Sequence, residues 1–153
     1  MSKTLPVAAI KEGTVIDHIP AGFALTILQL LKLPQSKHRI SLGLNLSSSS
    51  MGLKDLIKIE NRALTEKEAH DIAVFAPKAT INIIKNYHVF SKISAKLPDE
   101  VVRILVCPNP RCITNCEAVN TLFLVEEHKQ QVLLHCHFCE KTFERNQIKD
   151  NCP

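Results

Sequence analysis

The sequence predicts an α+β fold in two parts: an antiparallel sheet with two helices over residues 1–97, and a small all-β domain over residues 98–153. Apolar patterns before residue 97 follow the order strand, helix, strand, strand, helix, strand. Lys96-Leu97-Pro98-Asp99 is typical of a domain junction. Beyond it, short strand patterns alternate with two closely spaced pairs of cysteines. The 153 residues, 45% hydrophobic and 22% charged, have the composition of an ordinary globular chain.

The first strand and the first helix are predicted near the N-terminus. Two apolar stretches, residues 7–10 and 14–19, flank Gly13, and glycine permits a turn or bulge there. Residues 21–32 predict a buried helix that ends before Pro34. The apolar run in this helix has about half of the ~20 residues that cross a bilayer, so we expect no membrane span.

Two adjacent strands are predicted next, over residues 39–47 and 54–61. The first alternates strictly, which is typical of a half-buried strand. Its apolar face would carry Ile40, Leu42, Leu44 and Leu46, and its polar face Ser41, Gly43, Asn45 and Ser47. In the second, Ile57 and Ile59 share one face, and the other carries Lys54, Leu56, Lys58 and Glu60.

A capping box at Thr65 and Glu68 predicts a helix over residues 66–75, because each side chain can satisfy a free backbone N–H at a helix start. Pro77 ends this helix. Residues 80–92 predict one or two strands with a turn near Asn86. The complete order of elements matches the ferredoxin-like arrangement, an antiparallel sheet with two helices on one face.

Two cysteine pairs indicate a metal site in the second domain. The first pair has C-x4-C spacing, the second has C-x2-C spacing, and 23 residues separate them. The ligands would be Cys107, Cys112, Cys136 and Cys139. Four thiolates complete the tetrahedron that zinc prefers and leave no open position, so we predict one structural zinc ion per chain. The alternative is a pair of disulfides or unrelated buried cysteines.

The second domain would be zinc-ribbon-like, or rubredoxin-like, with a hairpin formed by residues 121–125 and 131–135. About 50 residues bury too little surface to be stable alone, and a metal supplies what the core lacks. Four further side chains of types that can bind metals are not part of the predicted ligand set. Cys116 and Cys152 are interpreted as free thiols, with Cys116 a weak competing ligand, and His135 and His137 as neighbours of the ligands.

The charge distribution favours a small anionic ligand for the first domain. Residues 1–97 carry 13 Lys and Arg against 7 Asp and Glu, whereas residues 98–153 carry 6 against 8. The chain has one Tyr, no Trp and no basic stripe, so we expect no nucleic-acid partner. The first residues lack the apolar run of a signal peptide, so we expect a cytoplasmic protein whose thiols stay reduced.

Two other functions are compatible with part of the sequence. A zinc-ribbon nucleic-acid-binding factor fits the cysteine spacing, but its ribbon should be basic. A zinc enzyme would need an open coordination position. Asp17 and His18 resemble a catalytic pair, yet neighbours on a strand point to opposite faces and no nucleophile accompanies them.

Several strings of residues together resemble the regulatory chain of aspartate carbamoyltransferase. The resemblance runs in order along nearly the whole chain. Its strings are residues 13–20 (GTVIDHIP), 43–46 (GLNL), 51–61 (MGLKDLIKIEN), 76–82 (APKATIN), 105–109 (LVCPN) and 139–140.

The resemblance implies a non-catalytic subunit with an allosteric domain that binds CTP, UTP and ATP. It also implies a zinc domain that docks on a catalytic chain, which transfers a carbamoyl group to aspartate in pyrimidine synthesis. The implied assembly contains two catalytic trimers and three regulatory dimers, each dimer formed through the N-terminal domain.

The resemblance also implies three sets of site residues. Ribose and phosphate contacts would come from Asp17, His18, Lys58 and Lys92, with Lys54 nearby. The rest of the nucleotide site would be Val7, Ala8, Ala9, Ile10, Leu56, Asn82, Ile84, Tyr87 and Val89. Docking on the catalytic chain would involve Asn109, Arg111 and Glu140.

Overall fold

The computed structural model describes residues 7–129 and 131–150. Contacts between residues divide the chain into two compact units, Met1–Lys96 and Leu97–Pro153. The elements of the first unit are β1 (Gly13–Pro20), α1 (Ala24–Leu30), a 3-10 helix (Leu33–Gln35), β2 (Ile40–Ser48), β3 (Gly52–Glu60), α2 (Glu66–Phe75), β4 (Thr80–Lys85) and β5 (His88–Ser94).

The first unit has the predicted ferredoxin-like arrangement. Its strands form one antiparallel sheet in the order β2-β3-β1-β4-β5, so β5 extends the four-stranded arrangement at one edge. Ile16 pairs with Ile57 on one side and with Ile81 on the other, and all three side chains are fully buried. These side chains form the core of the unit with buried residues of the two helices, such as Ile27 and Ile72. We call the opposite face of the sheet the open face.

The start of the sheet differs in part from the sequence prediction. Of the two apolar stretches, only the second forms a strand, which begins at Gly13, and residues 7–10 have no regular structure. Gly13 has φ +139°, and a Cβ there would lie 1.9 Å from the Ile59 carbonyl oxygen, so only glycine fits. The Lys11 carbonyl accepts a hydrogen bond of 3.0 Å from the Tyr87 N–H, which ties this segment to the β4–β5 turn.

The predicted alternation along β2 is wrong beyond Gly43. A bulge lies between Gly43 and Leu46, and Asn45 has φ +56°. Leu46 therefore no longer shares a face with Leu42, and Leu42 and Leu44 are 38% and 47% exposed. The described residues pair β2 only with β3, so β2 is an edge strand that needs no continuous buried face.

The buried carboxylate of Asp55 explains the bulge. It accepts the Asn45 N–H at 3.0 Å and the Gly22 and Ala24 N–H groups at 2.9 and 3.2 Å. These bonds join β3 to the bulge in β2 and to the first residues of α1. The helix predicted over residues 21–32 is shorter at both ends. Residues 21–22 form a turn held by this carboxylate, and residues 31–32 form another turn after the helix.

The second helix and the following hairpin confirm the sequence prediction. The Thr65 hydroxyl accepts the Glu68 N–H at 3.2 Å, and the Glu68 carboxylate accepts the Thr65 N–H at 3.1 Å. Arg62 forms an ion pair of 2.6 Å with the same carboxylate. The strands β4 and β5 meet at Asn86 and Tyr87, whose φ angles of +54° and +66° make a tight turn.

The second unit is a small β domain. Its elements are β6 (Glu100–Val102), β7 (Leu105–Val106), a one-turn helix α3 (Ile113–Cys116), β8 (Leu122–His128), β9 (Gln131–Cys136), β10 (Thr142–Glu144), a 3-10 helix (Arg145–Gln147) and β11 (Lys149–Asp150). Strands β10-β9-β8-β6 form one sheet, and β7 pairs with β11. The predicted β8–β9 hairpin is confirmed. Among the described residues, no helix is both long and apolar enough to cross a membrane.

Candidate metal centre and effector site

Four cysteines of the second unit converge on one point. The Sγ atoms of Cys107, Cys112, Cys136 and Cys139 all lie within 4.8 Å of one another. Cys107, Cys112 and Cys136 are buried, and Cys139 is half-buried. The two sequence-distant pairs therefore present their thiols to a common centre that is largely shielded from water.

Local hydrogen bonds shape the two loops that carry these thiols. In the first loop the Asn109 carbonyl accepts the Cys112 N–H at 3.0 Å, and the Asn115 side chain donates to the Cys107 carbonyl at 2.9 Å. In the second loop the Cys136 carbonyl accepts the Glu140 N–H at 2.9 Å. Glu140 has φ +62°, the left-handed conformation that closes such a turn.

The sulfur spacing fits a tetrahedral zinc site. Cys107 Sγ lies 3.7 Å from Cys139 Sγ, and Cys112 Sγ lies 3.8 Å from Cys136 Sγ. A regular tetrahedron with Zn–S bonds of about 2.3 Å has sulfur atoms about 3.8 Å apart. A disulfide requires about 2.05 Å, so the described cysteines are not paired as disulfides.

The protonation of these thiols depends on their surroundings. Burial raises the pKa of Cys107 and of Cys136. Burial also opposes ionisation of Cys139, but the Lys141 N–H and the Asn109 side chain lower the pKa of Cys139 to about 7. A bound cation would supply the positive charge that lets all four groups lie together as thiolates.

Among the described residues, three nearby side chains that could bind a metal, those of Cys116, His135 and His137, lie outside the cluster. Cys116 is exposed, and Cys152 lies outside the described residues. His135 is within 2.9 Å of the Thr142 hydroxyl, and His137 is exposed and packs edge-on against Phe138. A contact that the sequence did not reveal is the Thr114 hydroxyl, which donates to Cys112 Sγ at 3.1 Å.

The open face of the first unit carries a row of four residues, one from each of four strands, and three of them are polar. Lys58 on β3 is opposite Val15 on β1, Val15 is opposite Asn82 on β4, and Asn82 is opposite Lys92 on β5. Directly opposite residues in antiparallel strands share one face. The register therefore brings two predicted phosphate-binding lysines and Asn82 to the same surface.

Lys58 differs from an ordinary surface lysine because it is only 8% exposed. Its ammonium donates to the Val7 carbonyl at 2.9 Å and to the Ala8 carbonyl at 2.8 Å. Burial lowers the pKa of Lys58, and the Asp17 carboxylate opposes that shift. Lys58 therefore holds residues 7–8 against the open face, and these residues help to cover the lysine.

Asp17, His18 and Lys54 form a second group at the end of β1. Lys54 Nζ lies 2.9 and 3.2 Å from the two carboxylate oxygens of Asp17. The prediction that Asp17 and His18 point to opposite faces is wrong, because a bulge gives His18 a φ of +59°. Its ring lies 3.2 Å from the hydroxyl of Thr80, the residue opposite Asp17. Thr80 was not among the sequence-predicted site residues.

The remaining predicted nucleotide residues surround this face at different depths. Leu56 lies on the Lys58 face of β3 and is buried, as are Ile10 and Ile84. Tyr87 and Val89 are 61% and 59% exposed at the edge. Ala8 and Ala9 are also exposed. Together they provide an apolar border beside the cationic row.

The three predicted docking residues lie on the loops of the cysteine cluster. Arg111 and Glu140 are exposed, and the Asn109 side-chain oxygen accepts the Arg111 N–H at 3.1 Å. Two exposed apolar side chains on the same loops were not predicted from the sequence as docking residues. Ile113 directly follows Cys112 and is 45% exposed, and Phe138 directly precedes Cys139 and is 39% exposed. Their positions next to predicted ligand cysteines were the sequence feature that could have indicated them.

Comparisons with known proteins agree along nearly the whole chain. Residues 5–96 match the family model of the aspartate carbamoyltransferase regulatory chain, allosteric domain, and residues 99–149 match that of its metal binding domain. The regulatory chain of Chromobacterium violaceum is 48% identical over 150 residues, covering 98% of this chain and 99% of that one. Those of Salmonella arizonae and Shigella flexneri are each 47% identical over 147 residues, covering 96% of both chains.

Proposed function

Since the chain belongs to the aspartate carbamoyltransferase regulatory chains, a family of non-catalytic subunits, we propose that it binds CTP, UTP and ATP on its open sheet face. The nucleotide-binding domain would comprise residues 1–97. Residues 98–153 would hold one structural zinc ion and transmit the effect of the nucleotide to a catalytic chain. The observation that carries this proposal is the convergence of Lys58, Asn82 and Lys92 on one face.

The charges and shape of this face support a triphosphate ligand. Lys92 is exposed. Among the described bonds, the Lys54 ammonium contacts only the carboxylate of Asp17. Phosphates would compete with Asp17 for Lys54, and Asp17 would then be free to accept a ribose hydroxyl. The base would lie along residues 7–10, against the border that includes Ile84 and Tyr87.

Zinc is the metal that best fits the cysteine cluster. Four thiolates form a soft donor set, which selects zinc or iron–sulfur chemistry over magnesium or calcium. Two sulfur separations of 3.7 and 3.8 Å match the tetrahedral edge expected for zinc. All four positions would be filled by the protein, so the role of the ion would be to hold the two loops together.

The loops around the zinc site would form the docking surface for the catalytic chain. Arg111 and Glu140 offer charges of both signs, and Ile113 and Phe138 offer apolar contact. Apolar anchors surrounded by polar groups are typical of protein interfaces. Because these residues lie on the loops that carry the ligands, their arrangement depends on the metal.

The exposed edge of the first sheet supports dimerisation through the N-terminal domain. Within the described residues β2 lacks a second neighbour, and Leu42, Leu44 and Leu53 are 38–50% exposed on or beside it. An unpaired strand edge with apolar side chains is a template for pairing with another chain. Three such dimers would join two catalytic trimers in the cytoplasm, without a nucleic-acid or membrane partner.

The proposal predicts that the purified chain restores nucleotide control to isolated catalytic trimers. We expect a mixture to co-migrate as a larger complex and its carbamoyl transfer to respond to CTP or ATP, whereas the trimers alone should not respond. Size-exclusion chromatography and a carbamoyl transfer assay measure the two effects. A chain that neither co-migrates nor alters the response would contradict the proposed function.

CTP and ATP should compete for one site on the full chain, because both present the same triphosphate to the same lysines. Raising the salt concentration from about 0.1 to 1 M shortens the Debye length from about 10 to 3 Å, so we expect Kd to rise at least about tenfold. Isothermal titration calorimetry with each nucleotide, alone and in the presence of the other, measures this. Independent, additive binding would argue against a single site.

A further inference from the structure

Gly43 lies on the open face of the sheet, at a position where its backbone does not require glycine. Its φ angle is not positive, whereas the φ angles of the other described glycines, Gly13, Gly22 and Gly52, are positive. Gly43 is buried in an edge strand, where glycine weakens the strand and supplies no side chain to pack. Glycine inside a strand commonly marks a bulge or a close approach by another group. Gly43 meets both conditions, because the bulge of β2 begins beside it and two side chains lie close to it.

Two side chains occupy the space that a Cβ at Gly43 would need. The Cβ would lie 2.6 and 3.2 Å from Leu46 Cδ1 and Cγ, and 3.1 Å from Val7 Cγ2. Leu46 is only half-buried, and its terminal methyl can move away by rotation. Val7 has less freedom, because it is β-branched and its carbonyl is bonded to the Lys58 ammonium at 2.9 Å.

The register places this contact beside the proposed effector site. Gly43 is opposite Leu56 and Ser41 is opposite Lys58, so Gly43 shares the face of the Lys58 row. The segment of residues 7–8 is thus fixed at two points. Lys58 binds its backbone, and the gap at Gly43 receives the Val7 side chain.

We propose that Gly43 is a positioning residue for the effector site: the space left by its absent side chain seats Val7 and thereby fixes residues 7–10 as the wall of the nucleotide pocket. This inference rests on the proposed nucleotide-binding function. It gives Gly43 a role in affinity that its place in an edge strand alone would not require.

The test is a double-mutant cycle on the full chain between Gly43→Ala and Val7→Ala, with Kd for CTP and for ATP as the readout. Each single change should raise Kd, Gly43→Ala by about tenfold, which is a loss of about 1.4 kcal/mol. The double variant should bind better than Gly43→Ala alone, because a smaller residue 7 leaves room for the new methyl group. Simple additivity of the two changes would overturn the proposal.

A second cycle separates the two clashes. Gly43→Ala combined with Leu46→Ala should bind as weakly as Gly43→Ala alone, and recovery of affinity in this variant would assign the effect to Leu46 instead. Ser47→Ala, on the same strand, is the control for unspecific changes in β2. Thermal unfolding of each variant establishes whether a change in Kd accompanies a change in stability.

A measurement without nucleotide tests the contact between Val7 and Gly43 independently of nucleotide binding. Nuclear Overhauser contacts between the Val7 methyl groups and the Gly43 Hα should be present in the unmodified chain and absent in Gly43→Ala. If the unmodified chain shows these contacts but binds neither nucleotide, the seat exists and the proposed function fails. If the contacts are absent, or if Gly43→Ala binds normally, the positioning role is wrong.

Discussion

Removal of the metal should unfold residues 97–153 and leave the first unit folded. Structural zinc contributes roughly 10–16 kcal/mol to the folding of zinc-finger peptides, more than a small domain can lose. Few large side chains of the second unit are fully buried, among them Leu105, Phe123 and Leu134, and this core is too small to replace the metal. Chelator treatment followed by hydrogen exchange should show loss of protection confined to the second unit.

The Cys107→Ala variant should reproduce the effect of chelation without a chelator. Three thiolates hold zinc less well than four, and the loop with Asn109 and Arg111 would lose its anchor. We expect about one zinc per chain in the unmodified protein, loss of zinc in the variant, and loss of co-migration with catalytic trimers. Cys116→Ala is the matched control, because Cys116 is an exposed thiol outside the cluster. A Cys107→Ala chain with a protected second unit would refute a structural metal.

The loss of assembly should not abolish nucleotide binding, because the proposed binding residues lie in the first unit. Calorimetry with CTP on the Cys107→Ala chain tests this independence. Allosteric control would still be lost, since coupling needs an effector site and a responding site in one assembly.

Elements determined by local chemistry were predictable from the sequence. Thr65 and Glu68 define the start of α2 through bonds within one turn, and the structure has α2 at Glu66–Phe75. The β4–β5 turn near Asn86 follows from similarly local preferences. The four clustered cysteines were also recognisable, because their spacing reflects the two loops that present them.

Features that depend on distant partners were not predictable in this way. The bulge at Asn45 exists because Asp55, ten residues later, binds its N–H, and no periodic pattern reveals such a bond. Lys58 follows strand alternation toward an exposed face, yet residues 7–8 cover it. The contact between Val7 and Gly43 likewise joins segments whose proximity follows only from the sheet register.

For the proposed nucleotide site, the burial of Lys58 predicts a larger contribution to affinity from Lys58 than from Lys92. Lys92 is exposed, so its loss would remove one screened charge from the site. Loss of Lys58 would remove a charge and also release the carbonyls of Val7 and Ala8, to which it donates at 2.9 and 2.8 Å. The wall of the pocket would then be free to move, and nucleotide binding would have to order it again.

We therefore expect Lys58→Ala to raise Kd for CTP by about 10- to 100-fold, the range given by one hydrogen bond to a charged group of about 1.5–3 kcal/mol. Lys92→Ala should have a smaller effect that largely disappears in high salt, whereas the effect of Lys58→Ala should persist, because its contacts are buried. Lys58→Met, which keeps the apolar stem, should bind as weakly as Lys58→Ala, since neither residue can donate to the two carbonyls.

The control for net charge is Lys37→Ala, which removes an exposed lysine from the connection between α1 and β2 and should leave Kd unchanged. Calorimetry at two salt concentrations measures all four variants, and co-migration with catalytic trimers should survive in each, because the cysteine cluster is untouched. A Lys58→Ala chain that binds CTP normally would exclude Lys58 from the site. A chain whose defect vanishes in high salt would show that Lys58 acts on the nucleotide through its charge alone, and not through its bonds to residues 7–8.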